Sequence, residues 1–295
     1  MAELVSALVS CSQISYLPAD IYYVGLKDLS WRCPTYFDYE EIAKLNHTLQ
    51  QQNKKLWLAL NLAYEESDLA QLKDAVLWCK EHNITGILYS SLAVYQVAQT
   101  LKYPGALIYS ADTLITNRYD AAFYGQRNQT IILSPAITLA EIVEIAKSNP
   151  GKCALKVFGH ISLALSKRKF LSSYFEYIED TYCRQESYSI QETTRTGKMP
   201  LLQETRGSSI YSAAVLESLA ELKILAEYCS YLIIDPLFIS REVQEQVIEI
   251  YRCYLLGEID LNQAQEKLPL VANKAYYNGF YYKKTSKAKI EVGDE

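Results

Sequence analysis

The chain contains no Cys-x-x-Cys pair, no His-Glu-x-x-His and no Gly-x-Ser-x-Gly. The missing motifs argue against a sequence-local zinc site, a zincin and a serine hydrolase of the nucleophile-elbow type. Imidazole is scarce: His47, His82 and His160 are the only candidates for a histidine base. His47 and His82 fall in helical segments and read as surface residues. No apolar run approaches the roughly 20 residues that a membrane helix needs. The N-terminal Met1-Ala2-Glu3 carries no basic region, and the apolar run from Leu4 to Val9 is too short for a secretory leader, so the expected location is cytoplasmic.

Excess positive charge is also missing. The net charge is −5, which argues against broad, non-specific nucleic-acid binding through a basic face. A local basic patch remains at Lys283, Lys284, Lys287 and Lys289, where a solvated C-terminus is the simpler reading. The 7 cysteines (Cys11, Cys33, Cys79, Cys153, Cys183, Cys229 and Cys253) are odd in number and widely spaced. That pattern suits reduced, mostly buried thiols better than a disulfide framework.

What the chain has in plenty is tyrosine, 25 against 7 phenylalanines. Each tyrosine brings apolar area and a hydroxyl that needs a partner. Such a count suits a pocket or subunit interface, and compositional bias explains it equally well.

Short apolar runs alternate with helical-period segments through most of the sequence. Strands are expected at Leu4–Cys11, Ile21–Gly25, Lys55–Leu62, Ile84–Tyr89, Ala106–Tyr109, Thr130–Leu133, Cys153–Phe158 and Tyr231–Ile234. Helices are expected at Tyr39–Gln52, from the Ser67-Asp68 cap to Glu81, at Leu92–Lys102, around Asn117–Tyr124, from Thr138 to Lys147, at Ala213–Tyr228 and at Arg241–Leu255. Thr138 with Glu141 forms a capping box, and Gly257 stops the Arg241 helix. Met199–Glu204 and Ser208–Tyr211 read as a hairpin turning at Arg206-Gly207, and Leu261–Lys267 as a short helix.

Repeated βα units with continuous apolar strands mean a parallel sheet covered on both faces. So many units in one domain favour an α/β fold of the (β/α) barrel, TIM-barrel-like kind. The barrel domain would span 1–256, with a lid insertion at about 174–198 after the seventh strand, and 257–295 as a C-terminal tail. Barrel sites gather at the C-terminal ends of strands. That rule places Trp31, Arg32, Asn61, Ser110, Asp112, Asn117, Ser134 and His160 around one mouth.

The stretch Lys156–Tyr174, KVFGHISLALSKRKFLSSY, is the strongest site candidate, because a strand there ends in Gly159-His160 and a polar loop. Each residue also has a structural reading. His160 can bond locally, Arg32 can pair with a nearby acid, and Asn61 and Asn117 can cap helices.

The order of blocks resembles the peptidase U32 family, the collagenase-like group of bacterial proteins. The blocks are ADIYYVGL followed by WRCPTYFDYEEI, LWLALNL, IYSADTLITN, KVFGHISLALSKRKFLS, MPLLQETRGSSIYSAAVLESLAEL and LIIDPLFISREVQEQVIEIYR, and the likeness runs from about Leu4 to Arg252. The resemblance implies a barrel and a role in hydroxylating tRNA wobble uridine, ribosomal RNA or ubiquinone precursors, in some members as paired paralogues. It also implies four cysteines for an iron–sulfur cluster. Here their positions match Ala164, Lys169, Cys183 and Leu216, and a family Arg-Glu pair is matched by Ser134-Pro135.

The expectation is therefore a partner subunit with no metal and no cluster of its own, associating with a cluster-bearing paralogue as a heterodimer, in contact with tRNA through that complex. Trp31, Arg32, Asn61, Asn117 and Arg168 would bind substrate, with Arg32 and Arg168 suited to a carboxylate or phosphate. A hydrolytic alternative, with Cys183 and His160 as a catalytic pair, and a non-catalytic scaffold stay open.

Overall fold

The computed structural model describes residues 2–111, 114–183, 187–194, 196–271 and 275–284. Asp112, Lys287 and Lys289, named above, lie outside them. The chain begins with β1 (Glu3–Ala7), β2 (Ile21–Leu26), β3 (Tyr36–Phe37), α1 (Tyr39–Gln51), β4 (Lys55–Leu60), α2 (Leu69–Glu81) and β5 (Gly86–Tyr89). It continues with α3 (Leu92–Thr100), β6 (Ala106–Ser110), α4 (Arg118–Gly125), β7 (Thr130–Ile132), α5 (Leu139–Ser148) and β8 (Cys153–Gly159). Then come β9 (Ser162–Ser166), α6 (Phe170–Tyr177), β10 (Tyr188–Ile190), β11 (Met199–Glu204) and β12 (Gly207–Tyr211). The chain closes with β13 (Val215–Glu217), α7 (Leu222–Tyr228), β14 (Tyr231–Ile234), α8 (Arg241–Leu256), α9 (Leu261–Lys267) and β15 (Tyr276–Tyr277).

Strands β1, β2, β4, β5, β6, β7, β8 and β14 are parallel and form the expected closed 8-strand barrel. β14 closes it, pairing with β1 on one side (Glu3 opposite Tyr231) and with β8 on the other (Tyr231 opposite Ala154). The helices form where their caps are encoded. Asp38 with Glu41, and Thr138 with Glu141, make reciprocal capping boxes at α1 and α5. Gly257, at φ 76, ends α8.

Alternation along each strand makes two cores. Leu4, Tyr22, Leu58, Ile87, Leu107, Ile131, Leu155 and Leu232 face the helical shell. The barrel interior holds Val5, Ala7, Ile21, Tyr23, Trp57, Ala59, Leu88, Ile108, Ala154 and Ile233. Trp57 fills its lower end, edge-on to Tyr231 with ring centroids 5.1 Å apart. The room for that indole comes from Gly86, where a Cβ would lie 2.4 Å from Trp57 Cδ1.

Between β8 and β14 the chain leaves the barrel and returns. A 4-stranded antiparallel sheet in the order β10-β11-β12-β9, with α6 beside it, occupies this excursion. The Met199–Tyr211 hairpin is there as expected. The expected helix at Ala213–Tyr228 is not. Val215–Glu217 is instead a strand between β8 and β15, and only Leu222–Tyr228 is helical. Ladder pairing on both sides outweighs the helix propensity of AAVLESLAEL. The tail is partly structured: α9 packs on α8, and β15 pairs with β13.

Gly86→Ala should force Trp57 out of place and cost about 1–3 kcal/mol in urea unfolding. The same substitution in a Trp57→Leu background should cost clearly less. Equal costs in both backgrounds would dissociate the glycine from the indole.

Candidate functional site

The upper end of the barrel interior adds charged and polar side chains to an apolar wall, where the lower end is apolar throughout. A cavity of about 90 Å³ opens there, lined among others by Tyr23, Arg32, Cys33, Lys156, Tyr211 and Asp235. Such a space admits several waters or a small molecule. At its centre Lys156 Nζ donates to Asp235 Oδ2 at 2.6 Å and to the His160 carbonyl at 3.1 Å. The two side chains are 21% and 13% exposed. Lys156 points inward from β8, and Asp235 follows β14, the adjacent barrel strand. Asp235 Oδ1 also accepts the Leu237 N–H at 3.1 Å. Burial pushes the Tyr23 phenol well above its ordinary range, and its bond to the Asp235 carboxylate adds to the shift, so Tyr23 stays a neutral donor. Burial likewise pushes the Cys33 thiol up, helped by the Glu204 and Asp235 charges, and keeps it protonated.

The loop after β2 forms one wall. Asn61 clamps it: its Oδ1 accepts the Trp31 N–H at 2.8 Å and its Nδ2 donates to the Trp31 carbonyl at 2.7 Å. Arg32 then sits at φ 57, in the left-handed region, a conformation costing roughly 1–3 kcal/mol for such a residue. Its N–H bonds Glu204 Oε2 at 3.0 Å, and the Tyr36 hydroxyl donates to Glu204 Oε1. The loop is thus fixed from the barrel by Asn61 and from above by Glu204.

The antiparallel sheet is the cover. Arg206 bonds Asp68 at 2.5 Å and Lys167 bonds Glu65 at 3.0 Å. The Arg206 bond holds the Asp68 carboxyl below the usual range. At the neck of the excursion, His160 Nδ1–H donates to the Ser212 carbonyl at 2.7 Å, and Ser212 Oγ accepts the Ile161 N–H at 2.9 Å. The two strands that lead out and back are pinned to one another there.

The residues named from sequence fall in different places. Arg32 and Asn61 line the cavity. Trp31 is buried behind them and faces a neighbouring cleft with Gln71 and Arg206, while the Arg32 guanidinium lies 6.0 Å from its ring. His160 is 1% exposed and sits in the neck. Asn117 is exposed and caps α4, accepting the Tyr119 and Asp120 N–H groups at 3.0 and 2.9 Å. Arg168 is exposed at the end of β9. Cys183 lies in the cover, its N–H 3.2 Å from the Tyr188 hydroxyl. Ser110 lines the cavity, and Ser134 is buried.

Lys156, Asp235, Tyr23 and Glu204 were not singled out from sequence. One signal was there: a lysine inside the otherwise apolar strand CALKVFG.

The fold is that of a TIM barrel whose mouth lies under a cover. The profile of peptidase family U32 matches residues 9–291, and the chain belongs to that family. An uncharacterized protease of Methanocaldococcus jannaschii is 26% identical over 287 residues, which is 91% of this chain and 69% of the relative. A solved structure of a U32 peptidase superposes with a TM-score of 0.51 at 12% identity, covering 80% of this chain and 92% of that one. At that identity the likeness concerns the fold alone.

Asp235→Asn leaves Lys156 without its counter-charge and should destabilise the protein by about 2 kcal/mol, less than for a fully buried pair because both groups keep some water contact. Lys156→Met with Asp235→Asn should recover at least about 1 kcal/mol relative to the sum of the single changes. A urea double-mutant cycle measures the coupling, and additive costs would show that the pair is not coupled.

Proposed function

We propose that this chain is a U32-family barrel without a cluster of its own, which serves as the short partner of a cluster-bearing paralogue in hydroxylating the wobble uridine of tRNA. The observation that carries the reading is the donor set. The positions matching the family's cluster cysteines are Ala164, Lys169, Cys183 and Leu216. Ala164 lies on β9, Lys169 immediately precedes α6, and Leu216 is buried in β13. One sulfur among four positions does not fit a cluster that takes about four thiolates, so no step is derived through one.

The mouth is a separate matter. It keeps a charged, part-buried pair, a neutral phenol donor and the Arg32 loop. That equipment suits holding a small polar molecule in place by charge and hydrogen bonds. No helix among the described residues is long and apolar enough to cross a membrane, and work on tRNA would place the protein in the cytoplasm. The hydrolytic alternative has less behind it. His160, its base, is enclosed in the neck with Nδ1–H committed to Ser212.

Deleting the gene in a host that makes 5-hydroxyuridine should abolish or sharply lower that nucleoside in tRNA digests read by mass spectrometry. Re-expression of the wild-type chain should restore it. Unchanged hydroxylation in the deletion strain would overturn the reading.

A further inference from the structure

Helix α6 has no buried residue. Phe170, Tyr174, Tyr177 and Ile178 are all exposed, Tyr174 at 57% and Tyr177 at 85%. Their spacing of four, three and one puts them on one stripe of the helix and its cap. An adjacent side, with Leu171, Ser172 and Phe175, is half-buried, and the Phe175 ring packs on Tyr182 and Tyr188 within the cover. The apolar stripe therefore faces outward.

The charges at its two ends are arranged against the helix. Lys167, Arg168 and Lys169 precede the N-terminus, and Glu176, Glu179 and Asp180 gather at the C-terminus. Helix dipoles favour the reverse, with anions first and cations last. The first turn is held from the cover instead, Phe170 N–H by Ser208 Oγ at 3.0 Å and Ser172 N–H by Gln203 Oε1 at 3.1 Å, so it is the charges alone that oppose the dipole. In an isolated chain this arrangement is unfavourable. Against an antiparallel copy of itself it becomes complementary. The basic end of one helix then lies over the acidic end of the other, with the apolar stripes between them. A twofold axis generates that geometry from one surface.

We infer that the α6 face is a self-association surface, on which a second copy of this chain docks with its α6 antiparallel. The inference does not rest on the proposed tRNA role. Its charge pattern distinguishes it from a nucleic-acid surface, where the three acidic residues would repel the phosphates.

The test is sedimentation velocity of the full chain from about 1 to 100 μM, at low and at high salt. The expected result is a dimer that dissociates more readily at high salt. Tyr177→Asp should weaken dimerisation at least tenfold, with an unchanged circular dichroism melt because the residue is exposed. Arg168→Glu and Glu179→Lys should each weaken it, and the two together should restore it, since each reversed charge then meets a reversed partner. A monomer at every concentration would overturn the inference. So would a dimer indifferent to Tyr177→Asp, or a double charge reversal weaker than both single ones. A chain that stays monomeric alone but binds a different U32 barrel through α6 would also overturn the choice of partner.

Discussion

A close contact between two barrel strands sets up the rest of the site. Gly159 ends β8 at φ 126, and a Cβ there would lie 2.4 Å from the Asp235 carbonyl oxygen. Only a residue without a side chain lets β8 turn outward while still touching β14. The ladder continues to the last position, with Asp235 N–H bonded to Phe158 O at 2.9 Å. Because the two strands stay joined until the turn, Lys156 and Asp235 end up side by side at the mouth. Because the chain then leaves the barrel, it can build a cover and come back through Ser212. The ion pair, the neck and the cover thus follow from one turn that a side chain would obstruct.

The position of the cavity follows from filling. An 8-strand barrel has an interior just wide enough for side chains. Its lower part is taken by Trp57 and Tyr231, with Gly86 and small alanines around them. Space is left at the upper end, where Ala7 and Ala59 are short and Lys156, Asp235 and Tyr23 stand among apolar residues such as Leu88 and Ile233. The cover then limits water there, which strengthens the Lys156–Asp235 attraction and the bonds to Glu204 relative to an open surface. A molecule entering the mouth would meet polar groups already fixed by each other, set in an apolar wall.

Much of the barrel was legible because its signals are local. Apolar runs mark strands buried on both faces, and Asn117 and Thr138 announce helix starts that the structure confirms in hydrogen bonds. The failures are non-local. Val215–Glu217 carries a helical pattern and becomes a strand only because β8 and β15 flank it. β9 is missed because SLALS alternates small residues with leucines that face solvent rather than a core. The site shows the same limit. Asn61 was visible as a strand-end polar residue, but its two bonds to Trp31 depend on a loop 30 residues away. Lys156 and Asp235 are 79 residues apart, and nothing in either segment names the other.

The four positions that match the family's cluster cysteines, one of them still a cysteine, lie in one part of the fold, whereas Ser134-Pro135, where the family carries an Arg-Glu pair, follows β7. Ala164 lies on β9, opposite Ile210; Lys169 leads into α6; Cys183 is in the cover; and Leu216 sits opposite Gly159 at the neck. All four belong to the excursion or its attachment, and none to the strands of the barrel. A barrel interior is hard to alter because each side chain is packed against several strands. A cover seated on surface ion pairs and one neck can change its chemistry at small cost in stability. The positions matched to the cluster cysteines and the outward apolar stripe of α6 therefore fall in the same replaceable part. On the readings proposed above, a cover without a cluster of its own would be free to serve for association, while the barrel beneath keeps its shape and its mouth.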